Sequence, residues 1–134
     1  MYICEHFGIE ELVPKEVFKK RGNKAWELLD ESALMTIDKL RDKFGSMTIN
    51  NWKWGGDRNW SGLRTSDSPY YSAFSQHSFG RAFDIIFKSV TTDEVRNYIL
   101  DNPDEFPFIS GIEMGTSWLH IDTRNTNRIK KFYP

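Results

Sequence analysis

The segment Ala82–Phe87, with the sequence AFDIIF, is the feature that most constrains the fold. Its aromatic and β-branched residues alternate, which predicts a β-strand with Phe83, Ile85 and Phe87 on one face. An apolar face of this kind must be covered by another layer of structure. Asp84 lies on the opposite face, and an ionised carboxylate in such a strand needs a cationic partner, several donors or a metal ion.

Helical patterns flank this strand in the sequence. Residues 14–45 are helical in character, with Pro14 suited to a first helical position and Gly22 to a helix end. The main helix is predicted from Glu31 to Phe44, with Asp30 as N-cap and Gly45 after its end. The apolar stripe of this helix is expected to consist of Ala33, Leu34, Met35, Ile37, Leu40 and Phe44. Its solvent face is expected to carry Asp38, Lys39, Arg41 and Asp42.

Further elements follow from local signals. Thr91 and Glu94 form a capping-box pattern that opens a helix reaching about Leu100. Short strands are predicted at Met47–Asn51, Phe108–Glu113 and Trp118–Asp122, the last two joined by a hairpin-like connection at residues 114–116. Irregular chain surrounds Trp60–Arg64, and long ordered loops in compact domains are usually functional.

Composition narrows the class of protein. The chain has 134 residues, which fits one domain spanning residues 1–134. The 18 Lys and Arg residues nearly balance 19 Asp and Glu residues, and the longest basic run is Lys19–Arg21, so no nucleic-acid partner is expected. A single cysteine, Cys4, excludes an intrachain disulfide framework. The sequence shows neither a secretory signal nor a long apolar segment, so we expect no membrane association and a cytoplasmic location as synthesised.

Three polar residues occupy positions suited to metal binding. His77 precedes the strand that contains Asp84 by a short, glycine-containing stretch, and His120 lies inside the strand predicted at 118–122. Two imidazoles and one carboxylate form a common catalytic zinc site with an open fourth position. Asp122 shares the face of His120 and could orient its ring. His6 has no comparable neighbours and is predicted to be a surface or packing residue.

These residues belong to recognisable motifs. The stretch Ser75–Asp84, SQHSFGRAFD, resembles the S-x-H-x-x-G-x-A-x-D motif of the zinc D-alanyl-D-alanine carboxypeptidases and related peptidoglycan endopeptidases. Trp118–Asp122, WLHID, resembles their closing H-x-D element, and Ser61–Thr65, SGLRT, is similar to the S-G-x-R segment that precedes the first ligand. The compact layout without a signal resembles that of phage-encoded members.

The resemblance implies an α+β fold of the hedgehog and DD-peptidase type, with a small, mixed, mainly antiparallel sheet and flanking helices. It implies Zn²⁺ held by His77, Asp84 and His120. It also implies that Arg64 stabilises negative charge at the scissile carbonyl and that Ser75 helps to bind substrate. The substrate would be a stem or cross-linking peptide of peptidoglycan, cleaved as by a carboxypeptidase or an endolysin-like endopeptidase, and we expect a monomer.

One position departs from the family pattern. Many members carry a glutamate general base three residues before the last histidine, and this chain has Ser117 there. A serine cannot serve as that base at neutral pH. Glu113 is the first candidate for the base, and Asp122 is the second. The departure leaves open a catalytically inactive, zinc-stabilised binding or phage structural module of the same fold. A metal-free carbohydrate surface formed by Trp52, Trp54 and Trp60 is a third hypothesis.

Overall fold

The computed structural model describes all 134 residues. Three α-helices accompany a five-stranded sheet, so the predicted α+β class is confirmed. The helices are α1 (Lys15–Arg21), α2 (Glu31–Phe44) and α3 (Thr92–Asp101). The strands are β1 (Met47–Thr48), β2 (Ala82–Phe87), β3 (Gly111–Glu113), β4 (Leu119–Asp122) and β5 (Lys130–Phe132). None of the helices combines the length and apolar character needed to span a bilayer.

The strands are ordered β1-β2-β4-β3-β5 in the sheet. The β1–β2, β2–β4 and β4–β3 pairs are antiparallel, whereas β3 and β5 are parallel. The sheet is mixed, as expected, but it is not the mainly antiparallel sheet that was expected, because β3 pairs in parallel with the edge strand β5. Strand β5 escaped prediction because its sequence, KKF, begins with two exposed lysines and shows no alternation.

Strand β2 shows the predicted division between its faces. The side chains of Phe83 and Ile85 are fully buried, whereas Ile86 on the other face is 42% exposed. Helix α2 has the predicted bounds, with the Asp30 side chain accepting a hydrogen bond from the Ala33 amide at 3.0 Å.

Two residues of α2 lie on faces other than those predicted. Met35 is 40% exposed, although it was assigned to the apolar stripe. Asp38 is buried, although it was assigned to the solvent face. Its carboxylate accepts hydrogen bonds from the Tyr2 hydroxyl and from the amides of Glu5 and His6. The N-terminal segment therefore covers this face of the helix, which helical periodicity alone could not reveal.

The irregular segment between β1 and β2 is fixed by backbone hydrogen bonds. The Asp84 amide donates to the Ser61 carbonyl at 2.7 Å, and the Arg64 amide donates to the His77 carbonyl at 3.1 Å. Gly62 lies so close to the chain that an added Cβ would be 2.1 Å from the Leu12 carbonyl oxygen. This segment is therefore an ordered wall beside β2, and only glycine fits at position 62.

Candidate metal centre

Three side chains from separate parts of the chain converge at one point. His77 lies in a short 3-10 helix, Gln76–Phe79, and Asp84 and His120 are directly paired across β2 and β4. The Asp84 Oδ1 atom is 3.2 Å from His77 Nε2 and 3.0 Å from His120 Nδ1. One donor atom from each residue lies within 4.8 Å of the other two, so this group could hold a metal ion.

His77 is oriented by its neighbours. The Ser75 hydroxyl accepts a hydrogen bond from the His77 amide and caps the short helix. The ring Nδ1 atom lies 2.9 Å from the Gly62 carbonyl oxygen. Because a carbonyl only accepts hydrogen bonds, Nδ1 carries a proton, and this contact turns the Nε2 atom toward Asp84.

His120 is oriented from the opposite side of its ring. Its Nε2 atom donates to Asp122 Oδ2 at 2.8 Å, so its Nδ1 atom faces Asp84 Oδ1 at 3.0 Å. Asp122 is fully buried and also accepts two hydrogen bonds from the Arg124 guanidinium, at 2.8 and 2.6 Å. Asp122 is therefore placed to orient the His120 ring. Its carboxylate does not line the cavity, so it is poorly placed to act as the general base.

Arg64 contacts the other oxygen of the shared carboxylate. Its Nη2 atom donates to Asp84 Oδ2 at 3.0 Å, and its Nε atom donates to the Trp60 carbonyl at 2.7 Å. The guanidinium also lies 5.7 Å from the centre of the Tyr70 ring. Three contacts therefore fix the cationic group beside the converging ligand atoms.

The charges of this cluster depend on one another. Burial would raise the pKa of the Asp84 carboxyl, but His77 and His120 outweigh burial and hold that pKa well below its usual range. Burial would lower the pKa of His120, but its hydrogen bonds to Asp122 and Asp84 raise the pKa to about 9. In the metal-free chain a proton on His120 therefore supplies positive charge that a bound cation would supply instead.

The cluster lies at the wall of a cavity of about 640 Å³. Fourteen residues line this cavity: Asp57, Arg58, Asn59, Trp60, Ser61, Arg64, Tyr70, Ser75, His77, Asp84, Glu113, Trp118, His120 and Phe132. The sequence-predicted site residues are thus brought together, with Asp122 alone outside the lining. Glu113 is half-buried, and its carboxylate has no hydrogen bond or ion pair with the protein. Ser117 is exposed and lies outside the lining.

The cavity wall also contains residues that sequence reasoning missed. Arg58 and Asp57 come from the loop after β1, and Phe132 comes from the unpredicted strand β5. Of the three tryptophans considered for a carbohydrate surface, only Trp60 lines the cavity. The Trp52 indole donates to the Val13 carbonyl and Trp54 is 65% exposed.

Comparison of the chain with protein-family models, curated proteins and solved structures finds no match. The functional conclusion therefore depends on the residues and geometry of the site.

Proposed function

We propose that the protein is a zinc-dependent peptidase that cleaves peptide bonds of bacterial peptidoglycan. The observation that carries this proposal is the convergence of His77 Nε2, Asp84 Oδ1 and His120 Nδ1 at the wall of a cavity that also contains Arg64. The motif resemblance indicates the substrate class, and the geometry of the site supports metal-assisted hydrolysis of a peptide bond.

Zinc suits this donor set. Two imidazole nitrogens and one carboxylate oxygen are typical of catalytic zinc sites that keep a position for water. Hydrogen bonds to Gly62 and Asp122 hold both rings so that the second nitrogen of each faces Asp84. A bound zinc ion supplies Lewis acidity and lowers the pKa of a coordinated water to about 7.

Arg64 would stabilise the developing negative charge on the scissile carbonyl oxygen. Its guanidinium is held by Trp60 and Asp84, so the positive charge is already in place before substrate arrives. A fixed donor of this kind stabilises the transition state without reorganisation.

Glu113 would act as general base. Its carboxylate lines the cavity and has no protein partner, so it is available to accept a proton from the attacking water and to pass that proton to the leaving amine. Ser75 and the rings of Trp60 and Tyr70 would contact the substrate peptide in the same cavity.

The test is release of new amino groups from purified peptidoglycan. We expect release by the zinc-loaded protein, loss of release on chelation, and recovery when zinc is restored. Asp84→Asn should be inactive, because it removes the shared carboxylate. Release that persists in the fully chelated protein would contradict the proposal.

The alternative function is a zinc-stabilised module without turnover. It is favoured by Ser117, which replaces the usual glutamate and lies exposed outside the cavity lining. Tight binding of one zinc ion with no amino-group release from any peptidoglycan preparation would favour this alternative.

A further inference from the structure

Arg58 is a half-buried cation in the cavity wall that lacks an acidic partner. Its Nε atom donates to the Ile49 carbonyl at 2.8 Å, and its Nη2 atom donates to the Asp84 carbonyl at 3.2 Å. Both acceptors are uncharged, and no carboxylate oxygen lies within 4.0 Å of its guanidinium. By contrast, Arg64 and Arg124 each form an ion pair with an aspartate.

The loop that carries Arg58 is closed on itself. The Asn51 side chain accepts a hydrogen bond from the Arg58 amide at 2.9 Å, and the Asn51 amide donates to the Arg58 carbonyl at 3.0 Å. The Gly56 amide donates to the Asn51 carbonyl, and an added Cβ at Gly56 would be 2.2 Å from the Asn51 side chain. Arg58 is therefore positioned before any ligand binds.

The guanidinium has unused donors beside the candidate ligands. An arginine has about five N–H donors. The contacts to Ile49 and Asp84 leave the remaining donors of Arg58 without a protein acceptor. Arg58 lines the same cavity as the three candidate metal ligands, so a ligand bound in that cavity can reach its guanidinium.

The charge balance around Arg58 favours an anion. Asp57 is exposed and forms no ion pair, and Asp84 is engaged by Arg64 and the two histidines. Glu113 is the other acidic residue of the wall. A half-buried cation without a direct acidic partner is stabilised by a ligand that supplies the counter-charge.

We infer that Arg58 binds a carboxylate of the substrate, so that the site prefers peptides with a free carboxylate close to the bond that is cleaved. The inference rests on the proposed peptidase function and favours carboxypeptidase action over cleavage inside a chain. A guanidinium with free N–H groups matches a carboxylate in both charge and geometry.

The experiment compares two peptides that differ only at the C-terminus: N-acetylated Lys(acetyl)-D-Ala-D-Ala with a free carboxylate, and its C-terminal amide. Binding is measured by calorimetry on the chelated protein, and kcat/KM is measured on the zinc-loaded protein. We expect the wild type to favour the acid by about tenfold or more, the scale of a hydrogen-bonded charge pair. Arg58→Gln should lose this preference because affinity and kcat/KM fall for the acid and not for the amide. Arg58→Lys should keep part of the preference. The matched control is Arg41→Gln, a half-buried arginine outside the cavity, which should behave as wild type.

Three results would overturn the inference. The wild type could show equal affinity and equal kcat/KM for the acid and the amide, or Arg58→Gln could keep the acid preference. Arg58→Gln could also lose affinity and kcat/KM equally for both peptides. The last result would indicate that Arg58 only maintains the loop. Asp57→Asn leaves the Arg58 contacts intact and should increase the acid preference, and an unchanged or reduced preference would also count against the inference. The calorimetric arm needs no turnover, so acid-selective binding without hydrolysis would separate failure of the proposed function from failure of this inference.

Discussion

Two clusters in this protein combine histidine with carboxylates, and they differ in how their side chains are held. One is the candidate metal centre, and the other lies at the surface where the N-terminal segment meets α2. The surface cluster consists of Glu5, His6 and Asp42. All three of its members are exposed, and His6 Nε2 is already paired with Asp42 Oδ1 at 2.6 Å.

In the metal centre, by contrast, each imidazole uses one nitrogen to bind the protein and directs the other at Asp84. His77 is fixed by Gly62, and His120 is fixed by Asp122. Exposed ion pairs typically contribute about 0–1 kcal/mol to stability. Histidines and carboxylates that lie close together are therefore not sufficient for a metal site. Burial and a second hydrogen bond on each ring are also needed, because they fix the donor atoms so that all of them can face one ion.

The largest expected difference between the clusters concerns zinc retention. Asp84→Asn should abolish retention of a zinc equivalent after desalting, because it replaces the anionic carboxylate that both histidines face with a neutral amide, a poor zinc ligand. Asp42→Asn makes the same chemical change in the surface cluster and should leave retention unchanged. Elemental analysis measures the zinc content of both variants. Equal zinc retention by the two variants would contradict the assignment of the zinc site to the buried cluster.

The next effect concerns turnover. Glu113→Gln should lower kcat by about a hundredfold or more, the usual scale for loss of a general base, while zinc retention is unchanged. Glu5→Gln is the matched change in the surface cluster and should have no effect on kcat. Undiminished turnover in Glu113→Gln would assign the proton transfer to another group.

A smaller effect is expected from the carboxylates that support each cluster. Asp122→Asn should weaken zinc binding by about 10–100-fold, because it replaces the charged acceptor that orients His120 with a weaker, neutral amide. Asp38 is also buried, but it supports the backbone of Glu5 and His6. Asp38→Asn should therefore leave zinc affinity unchanged in a competition titration with a chelator. Equal affinity of Asp122→Asn and wild type would refute the orienting role.

The smallest effect is a pH dependence of stability. The hydrogen bonds to Asp122 and Asp84 outweigh burial and raise the pKa of His120 in the metal-free fold from its ordinary value of 6.5 to about 9. Protonated His120 therefore stabilises the metal-free fold fully below pH 6.5, and this contribution is lost as the pH rises through about 9. We expect the melting temperature of the chelated protein to fall by a few degrees over this interval. His6→Gln should show the same decline, whereas a flat profile in the wild type would contradict the assigned charge state.

Local sequence patterns predicted the elements that depend on neighbouring residues. The bounds of α2, the N-cap at Asp30 and the alternation of β2 all follow from short-range periodicity and capping. The Thr91 hydroxyl also accepts from the Glu94 amide, as the capping pattern indicated. The candidate metal-binding residues could be predicted because they lie in recognisable motifs, and the structure brings the three side chains together.

Contacts between distant segments were not predictable in this way. Asp38 is buried because Tyr2, 36 positions earlier, bonds to it. The Arg124 partner of Asp122 and the parallel pairing of β5 likewise depend on how the chain folds back. Arg58 was missed because its surroundings in sequence, GGDRN, indicate only a loop. Its place in the cavity results from contacts with Ile49 and Asp84.

The pairing of Asp84 with His120 across β2 and β4 has a consequence for how the protein matures. These residues are 36 positions apart, so the ligand set cannot assemble until the two strands have found their register. An ion that binds only the completed set would bind after this pairing has formed, and its binding free energy would add to the stability of the native state.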